Sequence, residues 1–360
     1  MGNVPSSASA GTTLLAVGDP VLDIVSDCPA SFVVESLGFA LGGCDLIDED
    51  ALEDVVDRLE SASRTLRRIP GGSAANVAKC FARLSSGARR TDVYFAGTLG
   101  RDASGKRYRR QMEAVGVKMR WSTVHPSEAN GVCLCMVTES GERTMRTALR
   151  ASRTHELPQK CIDALRPTWV HFEGYYVYKP SIIETMRSIK GCGSKISFDF
   201  ASFDVIASRM EVFEEILDAR LVDVLFCNEE EAMAFATRRK MADGSRDTPE
   251  AFAREMAATL GVTMVVSRGP KGCVAAAIGS DGTVQQASAP AASVTVVDTI
   301  GAGDHFSAGV LYALAHAATL ETACLCGCIA GAAAVEVSGA QVDDRRMKDV
   351  VKRLHSLMRQ

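Results

Sequence analysis

Short apolar runs alternate along the chain with longer stretches whose apolar positions return at helical spacing. Residues 14–18, 93–98, 169–173, 196–200, 222–227 and 263–267 are near-continuous apolar runs, the pattern of strands covered on both faces of a parallel sheet. Between them the spacing predicts helices over 77–84, 104–115, 181–190, 249–260, 306–315 and 345–357, and an acidic helix from Asp48. Such alternation predicts an α/β fold with helices on both faces of one mainly parallel sheet. In these sheets ligands lie beyond the carboxyl ends of the strands. Asp23, Gly72, Asn228 and Gly269 each follow a strand-like run, so all four are expected on one edge. Two stretches resist the alternation, 30–50 and 121–147. Within the second, residues 132–137 taken alone read as an ordinary edge strand.

The strongest chemical signal is Asp298-Thr299-Ile300-Gly301-Ala302-Gly303-Asp304-His305-Phe306. It follows a β-rich stretch at 293–297 and opens an amphipathic run, so a strand-to-helix turn is expected. Gly301 and Gly303 leave backbone N–H groups bare at a helix N-terminus, where amides lack partners and the dipole end is positive. Such a turn suits a phosphate. Asp304 then projects a carboxylate into the anion site, which a structural role explains poorly. A base taking a proton from an attacking hydroxyl explains it better. The alternative is an aspartate that caps its own helix.

Further segments point the same way. The first strand leads to Asp19-Pro20-Val21-Leu22-Asp23. Gly71-Gly72-Ser73-Ala74-Ala75-Asn76 opens a helix, its glycines permitting close approach and Asn76 offering a donor and an acceptor. Gly97 to Gly105, Asn228 to Glu231, and Ser267 to Gly272 follow in order. Together with Asp298 to Asp304, these elements resemble the ribokinase/PfkB family of carbohydrate and nucleoside kinases, whose C-terminal signature is D-T-x-G-A-G-D. The resemblance spans roughly residues 13–355.

The resemblance implies a ribokinase-like three-layer α/β/α sandwich with a mainly parallel sheet and a small β-sheet lid, in one domain over 13–360. The lid would come from segments near 24–50 and 120–147, and its closure would exclude water. Asp304 would be the general base, with the amides of Gly301, Ala302 and Gly303 stabilising phosphate charge. Asp23, Gly72, Ser73 and Asn76 would hold the acceptor. Asn228, Ser267, Gly269, Gly272, Asp298, Thr299, Gly301 and Gly303 would border the nucleotide, with adenine near 333–340. Glu231 and Asn228 would hold Mg²⁺ through water beside ATP, and K⁺ beside the Asp298 loop is a further family option. Arg143 would reach the γ-phosphate from the lid, as in adenosine kinases; a solvent-facing hairpin arginine beside Glu142 is the alternative. His305 would pack under the helix or tune Asp304.

The acceptor is less determined. The long insertion between Asp23 and Gly71 resembles adenosine kinases and adenosine-kinase-like members, which implies a nucleoside. Residues 198–203 match neither the Asn-rich turn of sugar kinases nor the Asn-Leu-Ser turn of adenosine kinases, which keeps a sugar or sugar phosphate open. A nucleotide-binding regulatory protein with little turnover is a third reading, and the intact Asp304 argues against it. A nicotinamide-dependent oxidoreductase fails, because no G-x-G-x-x-G follows the first strand.

Composition narrows this further. A net charge of −4 gives no sign of a nucleic-acid partner, and no apolar run is long enough for a transmembrane helix. The 12 cysteines include no C-x-x-C pair, and Cys324, Cys326 and Cys328 on one helix cannot close a tetrahedral site. Reduced structural thiols, and hence a cytoplasmic setting, are expected. Residues 1–12 read as a disordered polar leader, although Met1 to Ser6 also fits the N-myristoylation pattern at Gly2. A monomer or homodimer is expected.

Overall fold

The computed structural model describes residues 11–62, 64–86, 91–242, 244, 247–337 and 339–359. The Gly2 pattern and residues 1–10 of the expected leader lie outside them.

The strands in chain order are β1 (Thr12–Val17), β2 (Val21–Asp27), β3 (Cys44–Leu46), β4 (Arg67–Pro70), β5 (Thr91–Ala96), β6 (Thr98–Leu99), β7 (Val117–Lys118), β8 (Thr123–Val124), β9 (Gly131–Val137), β10 (Arg143–Ala148), β11 (Trp169–Phe172), β12 (Lys195–Asp199), β13 (Val224–Asn228), β14 (Thr263–Ser267), β15 (Cys273–Ile278) and β16 (Val284–Ala289). The helices are α1 (Glu49–Ser61), α2 (Ser73–Leu84), α3 (Ala103–Ala114), α4 (Gln159–Leu165), α5 (Ile182–Gly191), α6 (Phe203–Asp218), α7 (Glu229–Arg238), α8 (Pro249–Leu260), α9 (Ala302–Ala315), α10 (Leu320–Val335) and α11 (Asp344–Leu357).

A nine-stranded sheet in the order β16-β15-β14-β13-β12-β11-β1-β5-β7 forms the middle layer. From β14 to β7 neighbours are parallel, and β15 and β16 add an antiparallel edge. Alternate side chains serve two separate cores. Leu14, Ala16, Val93 and Phe95 pack under α2, α3, α9, α10 and α11, while Leu15, Val17, Val170 and Phe172 face α4 to α8. This is a three-layer sandwich, and it explains why the strands read as unbroken apolar runs.

A second sheet, β3-β10-β9-β2-β4, has two different faces. Ile24, Val132, Leu134 and Met136 pack against Leu52, Val55 and Leu59 of α1. The opposite face meets the main body through Val25 and Cys135 against Ile300 and Ala340. The expected segments 24–50 and 120–147 supply only part of it: β4 also belongs, β2 already begins at Val21, and 121–130 contributes no strand to it.

Three expectations need correction. Residues 293–297 form no strand: Val296 and Val297 are 61% and 62% exposed, without a neighbouring strand to bury them. The amides of Val297 and Asp298 instead donate to Val335 O. The following helix begins at Ala302, not Phe306. Asp23 follows β1 but lies inside β2 of the second sheet, not in a loop at the edge of the main one. The cysteines are all free. Cys324, Cys326 and Cys328 lie on α10, and Cys328 Sγ meets Cys273 Sγ of β15 at 3.6 Å. No metal-binding cluster occurs among the described residues, and no described helix is long and apolar enough to cross a membrane.

Candidate active site

Two helix N-termini converge where the second sheet meets the body. The chain leaves β4 at Pro70 and enters α2 through Gly71 and Gly72. A Cβ on Gly71 would stand 2.0 Å from an Asp23 carboxylate oxygen, so any other residue there would displace that carboxylate. Gly72 occupies the N-cap with φ +89° and no side-chain cap bond. The buried carboxylate of Glu173, just beyond β11, does the capping: it accepts from Ala74 N and from Asp19 N, each at 2.8 Å.

Gly301, with φ +69°, starts α9, and a Cβ there would stand 2.5 Å from Ala340 Cβ. Its carbonyl accepts from His305 N and pairs with His305 Nδ1 at 2.9 Å. Burial pushes His305 down to about 4, so the imidazole is neutral near neutrality and its N–H grips the turn. Gly303 is exposed with open space around it. Of the amides expected in the anion site, that of Ala302 donates to Thr299 O at 3.3 Å, while those of Gly303 and the following Asp304 donate to no described protein atom, as expected of an anion site at a helix start.

Asp304 does not cap its own helix. Its Oδ1 accepts from Ser73 Oγ and its Oδ2 from Asn76 Nδ2, both at 2.7 Å and both from α2. Burial raises its pKa; the bonds from Asn76 and Ser73 and the charges of Lys79 and Arg143 pull the other way. Asn76 Oδ1 is buried with no hydrogen-bond partner. Asp23 faces the same space from β2, pushed up to about 7 by burial, lowered by Lys79 and raised by Asp304.

Other expected residues lie around this centre. Arg143 opens β10 on the second sheet, near enough to Asp304 to influence it. Asp298 is buried, and its oxygens accept from Ile300 N at 2.9 Å and Gly339 N at 2.8 Å, so it shapes the loop. Thr299 is exposed. Asn228 and Glu231 form a capping box on α7, with Asn228 N and Nδ2 donating to the two Glu231 oxygens. Burial pushes Glu231 up to about 7. Ser267 pairs with Asn228 across β13 and β14 and donates to Cys227 O. Gly269 and Gly272 bound a short turn leading into β15.

Four groups escaped sequence reasoning: Lys79, Glu173, Asp199 and the buried Asp19–Lys179 pair at 3.2 Å. Burial raises Asp199 well above the usual carboxylate range, with Glu231 adding to it. Two of them had a faint signal. Lys79 lies three residues past Asn76 on the same helix, and Glu173 ends an apolar run with a charge.

A carboxylate held at the mouth of a helix-start anion site, over a mainly parallel sheet, defines a small-molecule phosphotransferase of ribokinase-like fold. Residues 43–346 match the pfkB family carbohydrate kinase, and the chain belongs to that family. It is 30% identical over 268 residues to a fructokinase of Klebsiella pneumoniae, covering 72% of this chain and 82% of that one. It is 24% identical to adenosine kinase 1 of Arabidopsis thaliana, covering 92% and 96%. The adenosine kinase structure from Sinorhizobium meliloti superposes with a TM-score of 0.79 at 23% identity, covering 96% of this chain and 100% of that one.

Proposed function

We propose that the chain transfers the γ-phosphoryl group of Mg-ATP to a hydroxyl of a nucleoside. The observation that carries the chemistry is Asp304, locked by two donors from α2 beside the free amides of Gly303 and Asp304. The acceptor hydroxyl gives its proton to Asp304 as its oxygen bonds to the γ-phosphorus and the bond to the ADP oxygen breaks. Asn76 Oδ1, an acceptor without a partner, suits a second hydroxyl, and Asp23 another. Arg143 brings positive charge from the second sheet, which acts as the lid.

Glu231 and Asn228 are bonded to one another at the start of α7 and would hold Mg²⁺ through its waters. When bound, Mg²⁺ offsets phosphate charge.

The nucleoside reading rests on the face of the second sheet that carries Asp23. The register places Cys133 beside Asp23, with Thr147 and Cys44 on the same face and Cys135 and Met145 of that face packed on the body. Cys133 and Cys135 are buried, and Tyr175 of the body lies beside Cys44. Thiols and an aromatic ring offer few hydrogen bonds to a bare sugar, but they suit the flat face of a nucleobase.

The test is ADP release from Mg-ATP with adenosine, inosine, guanosine, cytidine, ribose, fructose and fructose 6-phosphate, repeated with Asp304→Asn. Turnover on a nucleoside, lost by about a thousandfold in the variant, is expected for a positioned base. Turnover on sugars alone refutes the nucleoside reading. An Asp304→Asn enzyme that keeps its rate refutes the base.

A further inference from the structure

Lys79 belongs to α2, near the face that presents Ser73 and Asn76 to Asp304. Side chains on a helix lean toward its N-terminus, and Lys79 does so, donating from Nζ to Pro70 O at 2.7 Å. Pro70 adjoins Gly71, the residue against which the Asp23 carboxylate lies, and neighbouring Cα atoms are about 3.8 Å apart. The ammonium is therefore fixed at the corner where β4 turns into α2, near enough to Asp23 and Asp304 for their charges to act on it. Tyr108 OH grips the same corner through Gly71 O at 3.0 Å. An ammonium carries three N–H donors, and Pro70 O is the one described acceptor within hydrogen-bond reach.

The charges facing Lys79 are Asp23 from β2, Asp304 from α9, and Arg83 with the Cys80 thiol from its own helix. His305 of α9 is also close, and it is neutral. Arg83 is committed elsewhere, to Val342 O and Asp344. Arg143 stands on the second sheet, apart from α2. Of the two cations on α2, the helix whose Ser73 and Asn76 hold Asp304, Lys79 is the one turned toward the β4–α2 corner.

We propose that Lys79 is a positioning residue for the transfer reaction, supplying the fixed positive charge that lets Asp23 and Asp304 be ionised together. This rests on the reading of Asp304 as base. Asp304 also faces the buried Glu173 beyond β11 and Asp199 of β12. Buried carboxylates in one site suppress one another's ionisation, and a nearby cation opposes this. Burial pushes Lys79 itself down to about 8, with Asp23 and Asp304 holding it up, so the ammonium persists at neutrality.

The test compares Lys79→Met with Lys79→Arg in the full chain. Side-chain carboxyl carbons of Asp23 and Asp304, assigned with Asp23→Asn and Asp304→Asn, are titrated by NMR. In Lys79→Met both midpoints rise by at least about one pH unit. The acid limb of kcat/KM moves by the same amount, while the rate on the alkaline plateau stays within about threefold of wild type. Lys79→Arg keeps the charge and returns the midpoints to near their wild-type positions. If Lys79→Met does not fold, Lys79→Gln takes its place. Midpoints unmoved in the uncharged variant, or moved equally by arginine, overturn the proposal. The titration needs no acceptor, so a wild-type enzyme silent on every nucleoside would count against the acceptor assignment and leave this test standing.

Discussion

Removing the Glu173 carboxylate tests how the site is held. Its two oxygens satisfy the amides of Asp19 and Ala74, the first in the link between β1 and β2 and the second in the opening turn of α2. Glu173→Ala leaves two buried donors unpaired, at about 1–3 kcal/mol each, or about 2–6 kcal/mol together. Unfolding entropy of about 2.1 cal/mol/K per residue gives about 0.75 kcal/mol/K for 360 residues. The melting temperature should therefore fall by about 3–8 °C. Glu173→Gln has one acceptor oxygen for two donors and should lose about half as much. Activity should fall too, since Ser73 and Asn76 ride on the helix that Glu173 caps. Calorimetry at a fixed scan rate, with initial rates on the same samples, reads both effects. An alanine variant melting within about 1 °C of wild type would refute the capping role, because no surviving pair of buried amides could be so cheap.

Two further outcomes follow from the same geometry. Burial pushes Asp23 and Glu231 up to about 7 and Glu173 up to about 8, so the folded chain binds more protons than the unfolded one between the ordinary carboxylate pKa and these values. Stability is lost as pH rises through that window. The buried His155, His171 and His305 are pushed to about 3, 3 and 4 and oppose this only below about pH 6.5, where unfolded histidines charge. Above it the carboxylates set the slope: melting temperature should drop from about pH 6.5 to 8, and less so in Glu231→Gln. A rise over that interval would contradict the assignment. Asp298→Ala should free Ile300 N and Gly339 N and lower kcat by about 10- to 100-fold, with a melting shift of only a few degrees. An unchanged kcat would show that the loop holds its shape without that carboxylate.

Much of the fold was legible because strands covered on both faces leave unbroken apolar runs. The turn at Asp298 was legible because its chemistry is local, with glycine and aspartate spaced within one turn. What stayed hidden depends on distant partners. Strand β15 is rich in alanine, a poor strand former, and it pairs because β14 and β16 flank it. Residues 293–297 carry strong strand formers, yet no strand lies beside them. Glu173 and Lys79 carried only faint local signals, since their partners lie on other elements and meet them only through the fold. Asn228 and Glu231 were legible as a pair, but their mutual capping bonds need the helix geometry to be seen.

The arrangement also explains why one helix carries so much of the site. Ser73 and Asn76 hold Asp304, Gly72 sets the entry angle, and Lys79 offsets charge, all within α2. A base must keep a fixed direction and remain ionised in a site that excludes water, and these demands conflict: exclusion raises its pKa, while ionisation needs charge nearby. Placing donors and cation on one rigid element reconciles them, because motion of the second sheet leaves all three in place. Arg143, on the second sheet, is a separate source of charge: it pulls the proton affinity of Asp304 down from outside α2, while Ser73 and Asn76 fix the direction of the carboxylate.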